Sequence, residues 1–353
     1  MNTKKLLQLF ALALVSAASL AACGGGGSSS SAPSAATPAP APIPSPAPAP
    51  GPAAPSPAPV ATNPAGASPA VSSASCAGLQ AASVPGPAIT GADMQSVNEV
   101  LTAIDPQHGY AEFARLPATF MWWVRNSPSV NMDSIGLAIH ESNHVADLNL
   151  LSQACNTDGL ARFYADSQIH LTGLRNSGTD NYSIVSETYP AWLKAPRSLR
   201  YDLYITGSAS SNGNRFNVLI DELNAYSGAA NFEAKLLASR YSYLASGGDK
   251  NAAGMVDFML FLQSYLKAAR LNHPASYAAI QSSGQTLSYL QFAWIRAEGI
   301  LVAMYPYSVA AGGTQVVPVD VITQIYSSPF LSELDSLGIT HKAAADWSAT
   351  YLR

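Results

Sequence analysis

Charge is scarce in this 353-residue chain: Asp, Glu, Lys and Arg make up 11% of it, and after Lys5 none occurs before residue 76. The formal net charge is −4, and setting aside Lys4 and Lys5 leaves −6 for residues 76–353. No basic cluster exists to neutralise phosphates, which argues against a nucleic-acid partner. Cysteine is nearly absent, with only Cys23, Cys76 and Cys155. The longest apolar stretch near the N-terminus, Leu6 to Leu20, is too short for a comfortable membrane span.

What is present at the N-terminus reads as an export signal. Lys4 and Lys5 form a basic head, an apolar stretch follows, and Ala21 and Ala22 precede Cys23. The sequence L-A-A-C resembles the lipobox of bacterial lipoproteins, in which the cysteine sulfur is acylated and becomes the new N-terminus; an ordinary secretory signal is the alternative. The resemblance implies a signal peptide at 1–22 and a lipid anchor in the bacterial cell envelope, with several acyl chains giving stable attachment where one would not. Gly24, in place of the aspartate retention signal of Gram-negative lipoproteins, leans towards the outer membrane. Residues 23–75 run GGGGSSSS and then alternate Pro, Ala and Ser without charge or aromatic residue, so they cannot bury a core. This is expected to be a disordered tether, its Pro-Ala part a polyproline II spacer rising roughly 3.1 Å per residue.

Residues 76–353 are long enough for one large domain. With Cys23 acylated, Cys76 and Cys155 remain as a pair in an oxidising compartment, and a disulfide between them is expected to staple the start of the domain to the segment after residue 148, two free thiols being the alternative. Helical periodicity dominates: residues 93–104, 132–151, 214–243 (interrupted or bent around Ser227–Gly228), 254–271, 287–304, 319–326, 329–337 and 342–352. Strand-like runs are few: FMWWV at 120–124, YSIVSETY at 182–189 and YDLYITG at 201–207. The expected fold class is α+β, predominantly helical.

The chemistry concentrates in LAIHESNHVADL at 137–148. Residues four apart on a helix share a face, so His140 and His144 would aim both imidazoles at one spot, suiting two nitrogen ligands of a tetrahedral zinc. Glu141 flanks that spot without binding, where it could take a proton from water and pass it to a leaving amine. Gly136, one turn earlier, permits close approach, and Asn131 or Asp133 could cap the helix start. A pair of histidines serving only as satisfied core or surface residues is the bland alternative.

HESNH resembles the HExxH motif of zincin metallopeptidases, whose branches differ in the third ligand. Metzincins continue to a glycine and a histidine or aspartate; here Asp147 and Leu150 occupy those positions, so that branch fails. Aspzincins take an aspartate from a segment that SGTDNYSI approaches only with the wrong spacing, leaving Asp180 a weak candidate. Gluzincins take a glutamate from a second helix, and Glu222-Leu-Asn-Ala225-Tyr226 fits their E-x-x-A-Y form; Glu187 is the alternative. The resemblance implies a zincin-like domain binding Zn2+ through His140, His144 and Glu222, with Glu141 as the catalytic base. Tyr226 stands where thermolysin-like enzymes carry an orienting aspartate, so Asp221 or Asp147 is expected to hold a ligand histidine instead. Candidates for stabilising the oxyanion are Tyr201, Tyr204, Tyr226, Arg215, His170 and His273.

The expected function is a membrane-tethered, extracytoplasmic zinc peptidase acting on a peptide or protein substrate. A non-catalytic zinc-binding or envelope-maintenance lipoprotein, and a zinc hydrolase cutting a non-peptide amide, are the alternatives.

Overall fold

A computed structural model describes residues 97–99, 101–102, 116–126, 132–152, 161–165, 168–172, 174, 178–194, 200–206, 215–238, 251–310 and 319–351. The signal at 1–22, the tether at 23–75 and the lipidation and disulfide candidates Cys23, Cys76 and Cys155 lie outside the described residues. Those described are predominantly helical. In chain order they form α1 (Pro117–Asn126), α2 (Met132–Ser152), β1 (Ala161–Ala165), β2 (Gln168–Thr172), a 3-10 helix (Tyr182–Glu187), α3 (Ala191–Lys194), a π-helix (Tyr201–Thr206), α4 (Phe216–Ala238), α5 (Asn251–Asn272), α6 (Pro274–Ser282), α7 (Gly284–Ala310), α8 (Val319–Ile325), α9 (Ser328–Asp335) and α10 (Ala344–Tyr351). No described helix is long and apolar enough to cross a membrane.

Helix α5 organises the core. Every residue from Gly254 to Leu266 is buried, because α4, α6, α8, α9 and the 3-10 helix surround it. A helix start this deep leaves its first amides without water, and Glu233 of α4 supplies the acceptors: its two carboxylate oxygens take the amides of Asn251 (3.0 Å) and Ala252 (2.9 Å). Helix α7 carries the fully buried Trp294, whose indole N–H donates to Glu298 at 3.0 Å. The same carboxylate oxygen accepts the Tyr326 hydroxyl (2.8 Å) and the Lys342 amide (2.9 Å), tying the C-terminal helices to α7.

All three expected strands are helical, for one reason. In FMWWV, Phe120, Met121, Trp123 and Val124 are buried while Trp122 is 41% exposed, a helical stripe rather than an alternation. In YDLYIT the buried residues are Tyr201, Tyr204 and Ile205, again at helical spacing. In YSIVSE the Asn181 side chain accepts the Ser183 amide at 2.8 Å and starts a 3-10 turn. Aromatic and β-branched content suggested strands, and burial periodicity decided otherwise. The interruption expected at Ser227–Gly228 does not occur: α4 is continuous helix from Phe216 to Ala238. The real hairpin, β1 with β2, pairs antiparallel with Tyr164 opposite Ile169. Strand β1 is buried along its whole length against α2 and α4.

Candidate metal centre

Helices α2 and α4 cross with opposite chain directions, His140 meeting Tyr226 while His144 meets Glu222 and Asp221. The four-residue spacing on each helix makes the two ridges correspond. The imidazole Nε2 atoms of His140 and His144 are 3.1 Å apart. Glu222 Oε2 lies 3.7 Å from the first and 3.5 Å from the second. Ligand atoms on a tetrahedral zinc, each about 2.0–2.1 Å from the ion, are about 3.3 Å apart, so the three observed separations bracket the requirement. Two bare imidazole lone pairs cannot rest this close without a proton or a cation to bind. Glu222 Oε2 is buried with no hydrogen-bond partner among the described residues, an acceptor that fits a cation ligand. The donor set of two nitrogens and one carboxylate, partly buried, could hold a metal ion.

The electrostatics separate the two histidines. Burial, reinforced by His144 and the Arg200 guanidinium, pushes the His140 pKa well below its usual value, which keeps the ring neutral and its lone pair available. His144 is buried too, but the Asp221 and Glu222 carboxylates outweigh that and hold its pKa well above the usual value. Asp221 Oδ2 is 2.9 Å from His144 Nδ1. The raised pKa protonates both ring nitrogens, with Nδ1 facing this carboxylate and Nε2 facing His140; a cation taking the place of the Nε2 proton would leave the carboxylate behind a metal-binding histidine.

Of the two expected orienting residues, Asp221 makes that contact, and Asp147 stands one layer further back. Asp147 accepts the Tyr164 amide at 2.7 Å, and burial together with Asp221 holds its carboxyl well above the usual range. The Asn224 amide nitrogen reaches Asn143 Oδ1 (2.8 Å), Asp147 Oδ2 (3.1 Å) and the Tyr164 carbonyl (3.0 Å). This buried lattice fixes α2 against α4 and satisfies the outer edge of β1. Asn143 and Asn224 were missed from sequence, although each lies inside a motif already singled out, and Asn143 and Asp147 repeat the i, i+4 spacing beside the histidines.

Glu141 is 5% exposed, and burial raises its pKa to about 7, with His144 opposing and Glu222 adding to the rise. Such a carboxyl is poised for proton transfer near neutrality. The Tyr226 ring packs edge-on against His140 with centroids 4.3 Å apart. The Tyr204 and Tyr226 hydroxyls are 3.4 Å apart. The Arg200 guanidinium lies 5.2 Å from the Tyr226 ring centroid and donates to Asp257 of α5 at 2.9 Å. Nothing in the sequence around Arg200 or Asp257 signalled that pairing.

The remaining candidates are elsewhere. His273 bridges Asp180 (3.2 Å) and Glu187 (2.9 Å), so neither alternative third ligand joins His140 and His144. Arg215 donates to the Thr179 carbonyl. Tyr201 packs on Tyr189 with centroids 4.9 Å apart, and His170 is the register partner of Phe163 on β2. Gly136 does permit close approach: a Cβ there would lie 2.9 Å from the Asn251 side-chain amide. No family model, no curated protein and no solved structure matches this chain.

Proposed function

We propose that residues 76–353 form a zincin-like, gluzincin-type zinc peptidase, exported and held to the cell envelope by a lipid on Cys23. The single observation that carries the reading is the approach of Glu222, from a second helix, to within 3.7 Å of both HESNH imidazole nitrogens. His140, His144 and Glu222 would hold the ion, and Asp221 orients His144. Zinc, when bound there, supplies Lewis acidity that polarises a scissile carbonyl and makes water easier to deprotonate.

The chain's own residues do the rest. Glu141 takes the proton from the attacking water as its oxygen bonds to the carbonyl carbon. The same carboxyl then delivers that proton to the amide nitrogen as the C–N bond breaks, returning Glu141 to its starting state. Burial of Glu141 at 5% exposure keeps bulk water from competing for the proton. A mixed peptide library incubated with the zinc-loaded full chain tests the reading: cleavage that a chelator abolishes, and that Glu141→Gln abolishes with zinc retained, supports it. A wild-type chain that binds zinc and cleaves no peptide overturns the peptidase reading in favour of a non-catalytic zinc-binding lipoprotein or a hydrolase of another amide. Loss of fatty-acid labelling in Cys23→Ser tests the anchor, and equal labelling of both forms refutes it.

A further inference from the structure

A second cluster of ionisable side chains gathers where α5 ends and α6 begins. His273, between the two helices, places Nδ1 3.2 Å from Asp180 Oδ2 and Nε2 2.9 Å from Glu187 Oε1. A neutral imidazole carries one N–H, so it can donate towards only one of these carboxylates and must turn a bare lone pair on the other. The imidazolium carries two and serves both. We propose that His273 is a proton-operated clasp: charged, it pins residues 180–187 to the α5–α6 junction, and on losing a proton it releases one end. This inference does not depend on the peptidase reading.

The surroundings keep both carboxylates as acceptors. Asn272 donates to the second oxygen of Glu187 at 2.7 Å. The Ser276 hydroxyl accepts the Asp180 amide at 2.8 Å and donates to Asp180 Oδ2, the oxygen that faces His273. Slight burial opposes ionisation of Glu187, but the hydrogen bonds from Asn272 and His273 prevail and hold its pKa below the usual value. It therefore stays charged where histidines change charge. The neighbouring charged and phenolic groups are directed elsewhere. Arg270 of α5 binds Glu333 at 2.8 and 2.7 Å, and Lys194 of α3 donates to the Ser186 carbonyl at 3.3 Å. Arg215, ahead of α4, donates to the Thr179 carbonyl. Tyr265 gives its hydroxyl to the Asp180 carbonyl (3.0 Å), and Tyr277 pairs with Ser336 (2.7 Å).

The clasped segment is tied down at each end by bonds that do not titrate with histidine. Arg215 holds Thr179 before it, and the Thr188 hydroxyl donates to the Ser264 carbonyl of α5 at 2.6 Å after it. Tyr182, Ile184 and Val185 are buried beneath the 3-10 helix, so opening the clasp loosens this helix without detaching it. Its backbone turns rest on few bonds. The Ile184 amide reaches the Asn181 carbonyl at 3.3 Å, and the Thr188 and Tyr189 amides share the Val185 carbonyl at 3.2 and 2.9 Å. Short 3-10 turns of this kind open locally at small cost, and their amides report the state of the clasp.

Hydrogen–deuterium exchange of the full chain tests the clasp, read by mass spectrometry over residues 181–189 between about pH 5 and pH 8 and corrected for the intrinsic rate at each pH. Wild-type protection is expected to fall about 2–5-fold as pH rises, the size that a partly exposed ion pair sets. In His273→Gln the profile should be flat. In Glu187→Gln it should be flat as well, because the new amide can donate to a bare Nε2 while the Nδ1 proton serves Asp180. A flat wild-type profile, or a fall that persists in either variant, overturns the inference.

Discussion

Two glycines facing the metal helices should respond oppositely to the same added methyl group. At Gly254 a Cβ would lie 2.2 Å from Tyr226 Cδ1 and Cε1 and 2.9 Å from Cγ. Carbon atoms in contact prefer about 3.5–4.0 Å, so the ring must retreat by more than ~1 Å. It cannot do so freely, because His140 lies 4.3 Å away on one side and Phe258 stacks at 5.2 Å on another. Overpacking of this kind costs about 3 kcal/mol at the upper end of the usual range, and the gain in helix propensity from Gly to Ala returns about 1 kcal/mol. The expected net loss is about 2 kcal/mol. At Gly228 a Cβ would meet Asn143 at 3.6 Å, Ile139 at 3.7 Å and Arg296 at 3.9 Å, all ordinary contacts. Gly228→Ala therefore keeps its propensity gain of up to about 1 kcal/mol. For a domain this large each kcal/mol moves Tm by about 2–4 °C, so thermal unfolding followed by circular dichroism should separate the two variants by roughly 6–12 °C. Displacing Tyr226 from His140 should also weaken zinc binding in Gly254→Ala alone. Equal Tm values for the two variants would refute the packing argument.

Removing the carboxylate behind His144 with Asp221→Ala should weaken zinc binding by about 10–100-fold, measured by competition with a chelator, and unchanged affinity would remove Asp221 from the site. Asn224→Leu takes away the donor shared by Asn143, Asp147 and the Tyr164 carbonyl; that carbonyl keeps the Asn143 amide at 3.4 Å, so at about 1–3 kcal/mol for each of the other two acceptors a loss of about 2–6 kcal/mol is expected in denaturant unfolding, and a loss below about 1 kcal/mol would contradict the network. The Glu187 carboxyl is opposed by its slight burial, but hydrogen bonds from Asn272 and His273 prevail and hold its pKa below the usual value. A depressed folded-state pKa stabilises the fold above the unfolded value of about 4.3 and loses that contribution as pH falls through the folded value, so stability of the wild type should drop more steeply below about pH 4.3 than that of Glu187→Gln. Because Glu187 is about one-third exposed, the difference should stay below about 1 kcal/mol, and identical slopes would refute the contribution.

The site was more legible than the fold around it. Helical spacing alone paired His140 with His144, and the resemblance of Glu222-Leu-Asn-Ala225-Tyr226 to the E-x-x-A-Y form singled out the carboxylate that the structure groups with them. The aromatic runs at 120–124 and 201–206 misled because aromatic content resembles strand propensity, whereas the exposed Trp122 and Asp202 sit at helical intervals. The sequence between the paired Ala165 and Gln168 is Asp-Ser, without the glycine of the strongest two-residue turn signals, so nothing in it announced the pairing of β1 with β2. Gly254 and Arg200 were illegible for a different reason: their roles exist only through Tyr226, which tertiary packing brings from another helix.

His140, His144 and Glu222 are proposed to form one metal centre. Zinc bound per full chain, measured by metal analysis after dialysis against a competing chelator, tests it most directly. One equivalent is expected in the wild type, Glu141→Gln, Glu187→Gln and Asp180→Asn, and loss of that zinc in Glu222→Ala. Full zinc retention in Glu222→Ala, or its loss in Glu187→Gln or Asp180→Asn, would contradict it.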